Sequence, residues 1–178
     1  MSGTSQPFIA GTVIVGIAVL VLCFIGMVTG IRINTTKSFP QGLYLMRDSF
    51  FKKGDLVIFC PPKSDVFDEA LKRDYIGAGF CKGGYGYVMK RIVAVTDDVV
   101  AIDDTGVYVN GVRLNNSKLY RSDKSDRRMP YYPKNNFVLG RSELMLMSDV
   151  NEQSFDSRYF GPIDCGQIQG VVSPIFTW

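Results

Sequence analysis

Apolar and polar positions divide this chain into two unlike parts. From Phe8 to Ile31 there are 24 residues without a charge. Beyond Arg32, short runs rich in Val, Ile, Tyr and Phe alternate with turn residues, the pattern of a mainly β body. As a helix the first stretch would be about 36 Å long, enough to cross a bilayer core of about 30 Å. A cleaved signal peptide, the competing reading, needs a basic start, a shorter apolar core and a small-residue exit. Here the first basic side chain is Arg32 and the exit reads Gly26-Met27-Val28-Thr29-Gly30, so a retained anchor is expected. The expected organisation is a tail at 1–7, an anchor at 8–31 and one folded domain at 32–178, with excursions at about 61–86 and 115–136.

Inside the body, Gly42–Leu45 and Leu56–Cys60 read as strands, separated by the turn Lys52-Lys53-Gly54-Asp55. Pro61-Pro62 ends the second. Ser64 and Asp65 are placed to cap a short helix reaching about Tyr75, with Phe67, Leu71 and Tyr75 on one face. The glycine-rich stretch from Gly77 to Gly86 lacks the Gly-Lys-Ser/Thr of a phosphate cradle and reads as a structural loop. Tyr87–Val95 reads as a strand carrying Lys90. Val99–Ile102 and Val107–Val109 follow, and Asn110-Gly111 predicts a type I′ hairpin into Val112–Leu114. Phe137–Leu139, Glu143–Ser148 and Gly170–Trp178 complete the strand pattern.

Charge and cysteine content narrow the classes. A net charge of +3 is too small to imply a nucleic-acid partner. Seven Lys/Arg against two Asp between Arg113 and Lys134 suit a solvated loop, or one touching anionic headgroups. Flanking charge mildly favours a cytoplasmic body, since Arg32 and Lys37 follow the span, but long domains translocate largely regardless of it. Cys23 sits in the span, leaving Cys60, Cys81 and Cys165 without Cys-x-x-Cys spacing. They are compatible with one disulfide, most simply Cys60–Cys81, or with three buried thiols.

The chain has no histidine, so nucleophilic chemistry needs another base. Ser38 lies seven positions after the apolar stretch. With period two, Lys90 shares a strand face with Val88, Ile92 and Ala94, and burial there would depress its pKa as a lysine base requires. Equally, its stem could snorkel from an edge strand and leave it ordinary. Thr36, two residues before Ser38, is a candidate to hold a developing oxyanion together with the Ser38 N–H. The segment from Ser148 to Gly161 is dense in Ser, Asp and Arg. It offers a hydroxyl (Ser154) to a lysine and a carboxylate (Asp156) to an arginine (Arg158), and the last two serve equally as a structural ion pair. A metal reading of Asp149, Glu152 and Asp156 lacks calcium-loop spacing.

Four segments in order then resemble the successive boxes of type I signal peptidases. They are Ser38-Phe39-Pro40, Met89–Val93, the Val107–Gly111 hairpin and Ser154–Gly161. Asn34–Tyr44 and Phe80–Tyr87 are similar to one branch of that family, the conjugative-transfer peptidases of the TraF type. The resemblance implies a signal-peptidase-like antiparallel β body with a short helix behind one transmembrane helix. It implies Ser38 as nucleophile, Lys90 as base and Asp156 among the catalytic residues. Thr36 falls at the oxyanion hydroxyl, Ser154 at the lysine-orienting serine, and Arg158 beside Asp156 as its partner. No cofactor or metal is implied. The implied substrate is a pilin precursor still in the bilayer of the bacterial inner membrane, processed on the periplasmic face beside other transfer components. Ser148-Asp149-Val150-Asn151 and Phe39-Pro40-Gln41-Gly42 depart from the general signal-peptidase pattern. A Sec-pathway signal peptidase and a non-catalytic bitopic assembly component are the alternative functions.

Overall fold

The structure, a computed structural model, describes residues 5–132 and 135–178; the side chains at 5–8, 22, 23, 25 and 27 also lie outside the description. Residues 1–4 of the expected tail, the Cys23 side chain and Lys134 are thus not described. Helix α1 (Ser5–Val28) comes first. Among the described residues, no helix is long and apolar enough to cross a membrane, so the expected anchor rests on sequence alone. The helix also stops short of Ile31. Gly30 has φ +79, a left-handed conformation that ends helices, and Ile31 opens strand β1 (Ile31–Asn34) opposite Leu45.

The body continues through β2 (Gly42–Arg47), β3 (Leu56–Phe59), α2 (Asp65–Lys72), β4 (Val88–Ala94), β5 (Val99–Asp103), β6 (Gly106–Val109) and β7 (Val112–Arg113). After the excursion come β8 (Asn136–Val138), β9 (Glu143–Met147), α3 (Ser157–Phe160), β10 (Ile163–Asp164) and β11 (Ile168–Thr177). Seven strands form one antiparallel sheet in the order β1-β2-β11-β3-β4-β9-β10. The other four form a second sheet, β7-β6-β5-β8. The terminal strand β11 is inserted between β2 and β3, pairing with both. It thereby ties the β1–β2 hairpin to β3 and β4.

Strand β4 is buried on both faces. Val88 and Ile92 enter a core with Phe59, Phe67, Tyr85 and Phe155, while Met89 packs with Phe39, Tyr44 and Val172. The β5–β7 sheet buries Val100, Val107 and Val109 against Met145 and Met147 of β9. Asn110 and Gly111 have φ 51 and 79, the paired positive values that a type I′ turn demands. Ser64 stands at the N-cap of α2, but its side chain makes no capping bond. That helix ends at Lys72, and the Tyr75 hydroxyl donates instead to Asp123 at 2.6 Å.

Cys60 and Cys81 form a disulfide across 21 positions, and Cys165 is free. The bridge ties the glycine-rich loop to the end of β3. That loop turns its N–H groups inward: Gly86 donates to Gly77 at 2.7 Å and Gly79 to Gly84 at 2.9 Å. A Cβ at Gly79 would meet the Gly86 Cα at 2.6 Å, so the two limbs cross only because both residues lack side chains. Its donors therefore serve the loop itself and not a phosphate. Parts of the basic excursion are likewise paired locally, Arg121 with Asp104 and Arg127 with Asp123.

Candidate active site

Period-two alternation in β4 sends Lys90 to the face shared with Val88 and Ile92, where it is 2% exposed. Its Nζ lies 2.7 Å from the Ser38 Oγ and 2.8 Å from the Ser154 Oγ. The two hydroxyls are 3.0 Å apart, which closes a triangle of one amine and two alcohols. Among the described residues, no carboxylate is ion-paired with this amine. Burial pulls its pKa from 10.5 to about 8, opposed by the Asp156 charge and assisted by Arg158. An amine with a pKa near 8 is partly neutral close to neutrality, so its lone pair can accept a hydroxyl proton.

Ser38 sits in the loop between β1 and β2. Phe39, next in sequence, is buried against Tyr44, Ile58, Met89 and Val172, which pins the loop beside β4. Tyr44 donates its hydroxyl to the Pro40 carbonyl at 2.7 Å. From the other side the segment after β9 grips the same loop: the Ser148 hydroxyl donates to the Ser38 carbonyl at 2.5 Å, and Asn151 to that of Lys37 at 3.0 Å. Thr36 is exposed, and its hydroxyl donates to the Asn34 Oδ1 at 2.8 Å. Asn34 and Ser148 are two polar residues of this site that sequence reasoning missed. Both open segments that the sequence singles out, Asn34–Tyr44 and Ser148–Gly161, but nothing local marks either side chain as buried or gives it a role.

Asp156 and Arg158 form a fully buried pair: the guanidinium donates to both carboxylate oxygens at 2.7 and 2.8 Å. Asp156 also N-caps α3 through the Arg158 N–H and accepts from the Ser148 N–H at 3.3 Å. Its bonds therefore go to Arg158 and to backbone, and it reaches Lys90 through its charge alone. Arg158 spends its remaining donors on the carbonyls of Lys118, Glu152 and Ser154. A backbone gripped at Ser154 aims that hydroxyl at Lys90. The residues of the metal reading separate: Asp149 pairs with Arg91, Glu152 accepts from Tyr120, and Asp156 holds Arg158.

Ser38 and Lys90 open into a cleft of about 280 Å³. Arg32, Ile33 and Asn34 of edge strand β1 line it, as do Gly77, Ala78 and Gly86 of the disulfide-tied loop. An edge strand beside a nucleophile offers unpaired backbone groups to an extended peptide.

An antiparallel β body with a buried lysine against a serine hydroxyl suits a peptidase working without histidine. The chain belongs to the signal peptidase family, peptidase S26, whose model matches residues 6–178. Membership of that family makes it a signal-peptidase-like hydrolase of the serine peptidase class. It is 52% identical to a plasmid transfer protein TraF of Escherichia coli over 178 residues, the full length of both chains. A conjugal transfer protein TraF of Agrobacterium fabrum is 33% identical over 172 residues, covering 96% of this chain and 93% of the relative. A crystal structure of a signal peptidase I from Enterococcus faecalis V583 superposes with a TM-score of 0.40 at 19% identity, over 70% of this chain and 98% of that one.

Proposed function

We propose that this chain is a membrane-anchored serine endopeptidase that uses a Ser38/Lys90 dyad to process a pilin precursor for conjugative transfer. The observation that carries it is the 2.7 Å approach of the buried Lys90 amine to the Ser38 hydroxyl. Neutral Lys90 takes the Ser38 proton as Oγ bonds to the scissile carbonyl carbon. The ammonium so formed gives that proton to the departing amine as the C–N bond breaks, leaving an ester on Ser38. Lys90 then takes a proton from water as the water oxygen attacks the ester, and Ser38 leaves with the proton restored. If the precursor's own amino terminus replaced water, the product would be a ring, lighter than the linear fragment by one water.

Ser154 orients the lysine in this reading, and Thr36 with the Ser38 N–H serves the oxyanion. Asp156 and Arg158 act one step back, by setting the backbone at Ser154 and the field at Lys90. A role in conjugative transfer is supported by the names of the TraF relatives, a plasmid transfer protein and a conjugal transfer protein, and the pilin precursor as substrate is part of the proposal. The uncharged stretch from Phe8 to Ile31 supports a membrane anchor, and the proposal sets the body on the periplasmic face of the inner membrane. A disulfide between Cys60 and Cys81 suits that oxidising space.

The test is precursor processing by the purified full chain beside Ser38→Ala and Lys90→Ala. Both variants should lose all measurable cleavage. Wild-type processing in both would end the peptidase reading, and efficient cleavage of many unrelated preproteins would end the pilin one. Intact mass of the product separates hydrolysis from ring closure.

A further inference from the structure

We infer that Asn34 is a positioning residue of this peptidase, holding the nucleophile loop and the Thr36 hydroxyl in register with Lys90. The inference rests on the peptidase reading above. Asn34 ends β1 opposite Gly42, so the seven residues from Thr35 to Gln41 lie outside the β1–β2 ladder. Their buried carbonyls need partners from elsewhere. One side chain, 5% exposed, supplies partners for three of the seven. Its Nδ2 donates to the carbonyls of Thr36, Phe39 and Pro40 at 3.2, 3.1 and 3.0 Å. With two N–H groups for three acceptors, one hydrogen is shared. Its Oδ1 accepts from the Thr36 N–H at 3.1 Å and the Thr36 hydroxyl at 2.8 Å. The reverse amide orientation would set the oxygen against three carbonyls, so this one is chemically determined.

Ser38 lies between the two clamped points, Thr36 on one side and Phe39-Pro40 on the other. Ser148 and Asn151 hold the loop's other flank, at Ser38 and Lys37. Only a primary amide at this position combines donors for carbonyls with an acceptor for the Thr36 hydroxyl. Aspartate keeps the acceptor and loses both donors, and alanine loses everything. A nucleophile displaced by about 1 Å costs on the order of 100-fold in rate, and it does so without changing how the rest of a long peptide is held.

The same contact defines how Thr36 would work. In the resting site its proton is directed at Asn34, not into the cleft. When charge develops on the carbonyl oxygen, the hydroxyl turns about its Cβ–Oγ bond and exchanges a neutral acceptor for an anionic one. Asn34 keeps the Thr36 N–H throughout, so the side chain stays in place while its hydrogen changes partner.

The experiment measures kcat and KM of the full chain on the pilin precursor for wild type, Ser38→Ala, Asn34→Asp, Asn34→Ala, Thr36→Val and the Asn34→Ala/Thr36→Val pair. Asn34→Asp and Asn34→Ala should each lower kcat roughly 10- to 100-fold with KM within about twofold. In Asn34→Ala, which adds no charge, the pH limb set by Lys90 should stay in place. Because the Thr36 hydroxyl depends on Asn34 for its placement, the double variant should be little worse than Asn34→Ala alone, not the product of the two losses. Wild-type kcat in Asn34→Asp overturns the inference. So does a loss confined to KM, or a kcat that is normal per folded molecule while the melting temperature falls. If wild type does not cleave, or Ser38→Ala does, it is the peptidase reading that fails. Thr36→Val leaves every Asn34 donor in place, so it keeps the test open should the Asn34 variants fail to fold: its kcat should fall with KM within about twofold, and a wild-type kcat overturns the inference.

Discussion

Lys90 Nζ and Ser38 Oγ meet at 2.7 Å although 52 positions separate the two residues in the chain. The contact joins the middle of β4 to a loop held between β1 and β2. It also brings an amine into a place where its charged form is disfavoured by burial. A fold that keeps a lysine there carries a stability cost that a neutral side chain would not.

That cost has a pH signature. The folded pKa is about 8 and the ordinary one 10.5, so below 8 lysine is charged in both states and the full penalty applies. Between 8 and 10.5 the unfolded chain binds the extra proton, and stability rises with pH as the penalty fades. Lys90→Met should therefore stabilise the body at pH 7 by about 1–3 kcal/mol, some of the gain being lost because the two serine hydroxyls keep only each other as partners. The gain should vanish above about pH 10.5 while cleavage stays abolished. Denaturant unfolding across pH measures it.

Activity should follow the neutral amine. In wild type kcat/KM should rise with pH through about 8 as Lys90 loses its proton. The Asp156 charge holds that pKa up and Arg158 holds it down. Asp156→Asn should thus move the limb to lower pH, and Arg158→Gln should move it to higher pH. Each leaves a buried charge unpaired and should cost about 3–5 kcal/mol of stability, so profiles are best taken well below the melting temperature. Limbs that move the same way in both variants would contradict this field.

Ser154→Ala removes the bond at 2.8 Å to Lys90 and the one at 3.0 Å to Ser38, but leaves the dyad contact itself. Residual cleavage is expected, with kcat lowered roughly 10- to 100-fold and KM little changed. Complete loss would make Ser154 as central as Lys90. Steady-state kinetics on the precursor distinguishes the two.

The Cys60–Cys81 bridge closes a chain segment of 21 positions and holds one wall of the cleft. Cys60→Ala/Cys81→Ala should lower stability by about 3 kcal/mol. Because Gly77, Ala78 and Gly86 line the cleft, KM should rise more than kcat falls. Thermal unfolding and kinetics of the double variant, compared with wild type under reducing conditions, check both statements.

Local chemistry determined much of the body. Alternation between Tyr87 and Val95 placed Lys90 with Val88 and Ile92, because side chains of a strand alternate whatever the strand pairs with. Asn110-Gly111 dictated a hairpin because both residues accept positive φ at little cost. The density of Ser, Asp and Arg after Ser148 announced hydroxyl and ion-pair chemistry. The end of α1 and the missing Ser64 cap bond were not legible, since each depends on what the neighbouring chain does.

Tertiary structure decided the rest. Period and propensity act over a few residues, whereas the Ser38–Lys90 distance depends on strand order and register. It exists because β11, the end of the chain, enters between β2 and β3 and sets their spacing. The choice of Cys81 as partner of Cys60 depends on the crossing of the glycine-rich loop, and the burial of Asn34 depends on a loop folding back over it. The sequence carried the serine and the lysine; the sheet, through backbone pairing between distant segments, made them neighbours.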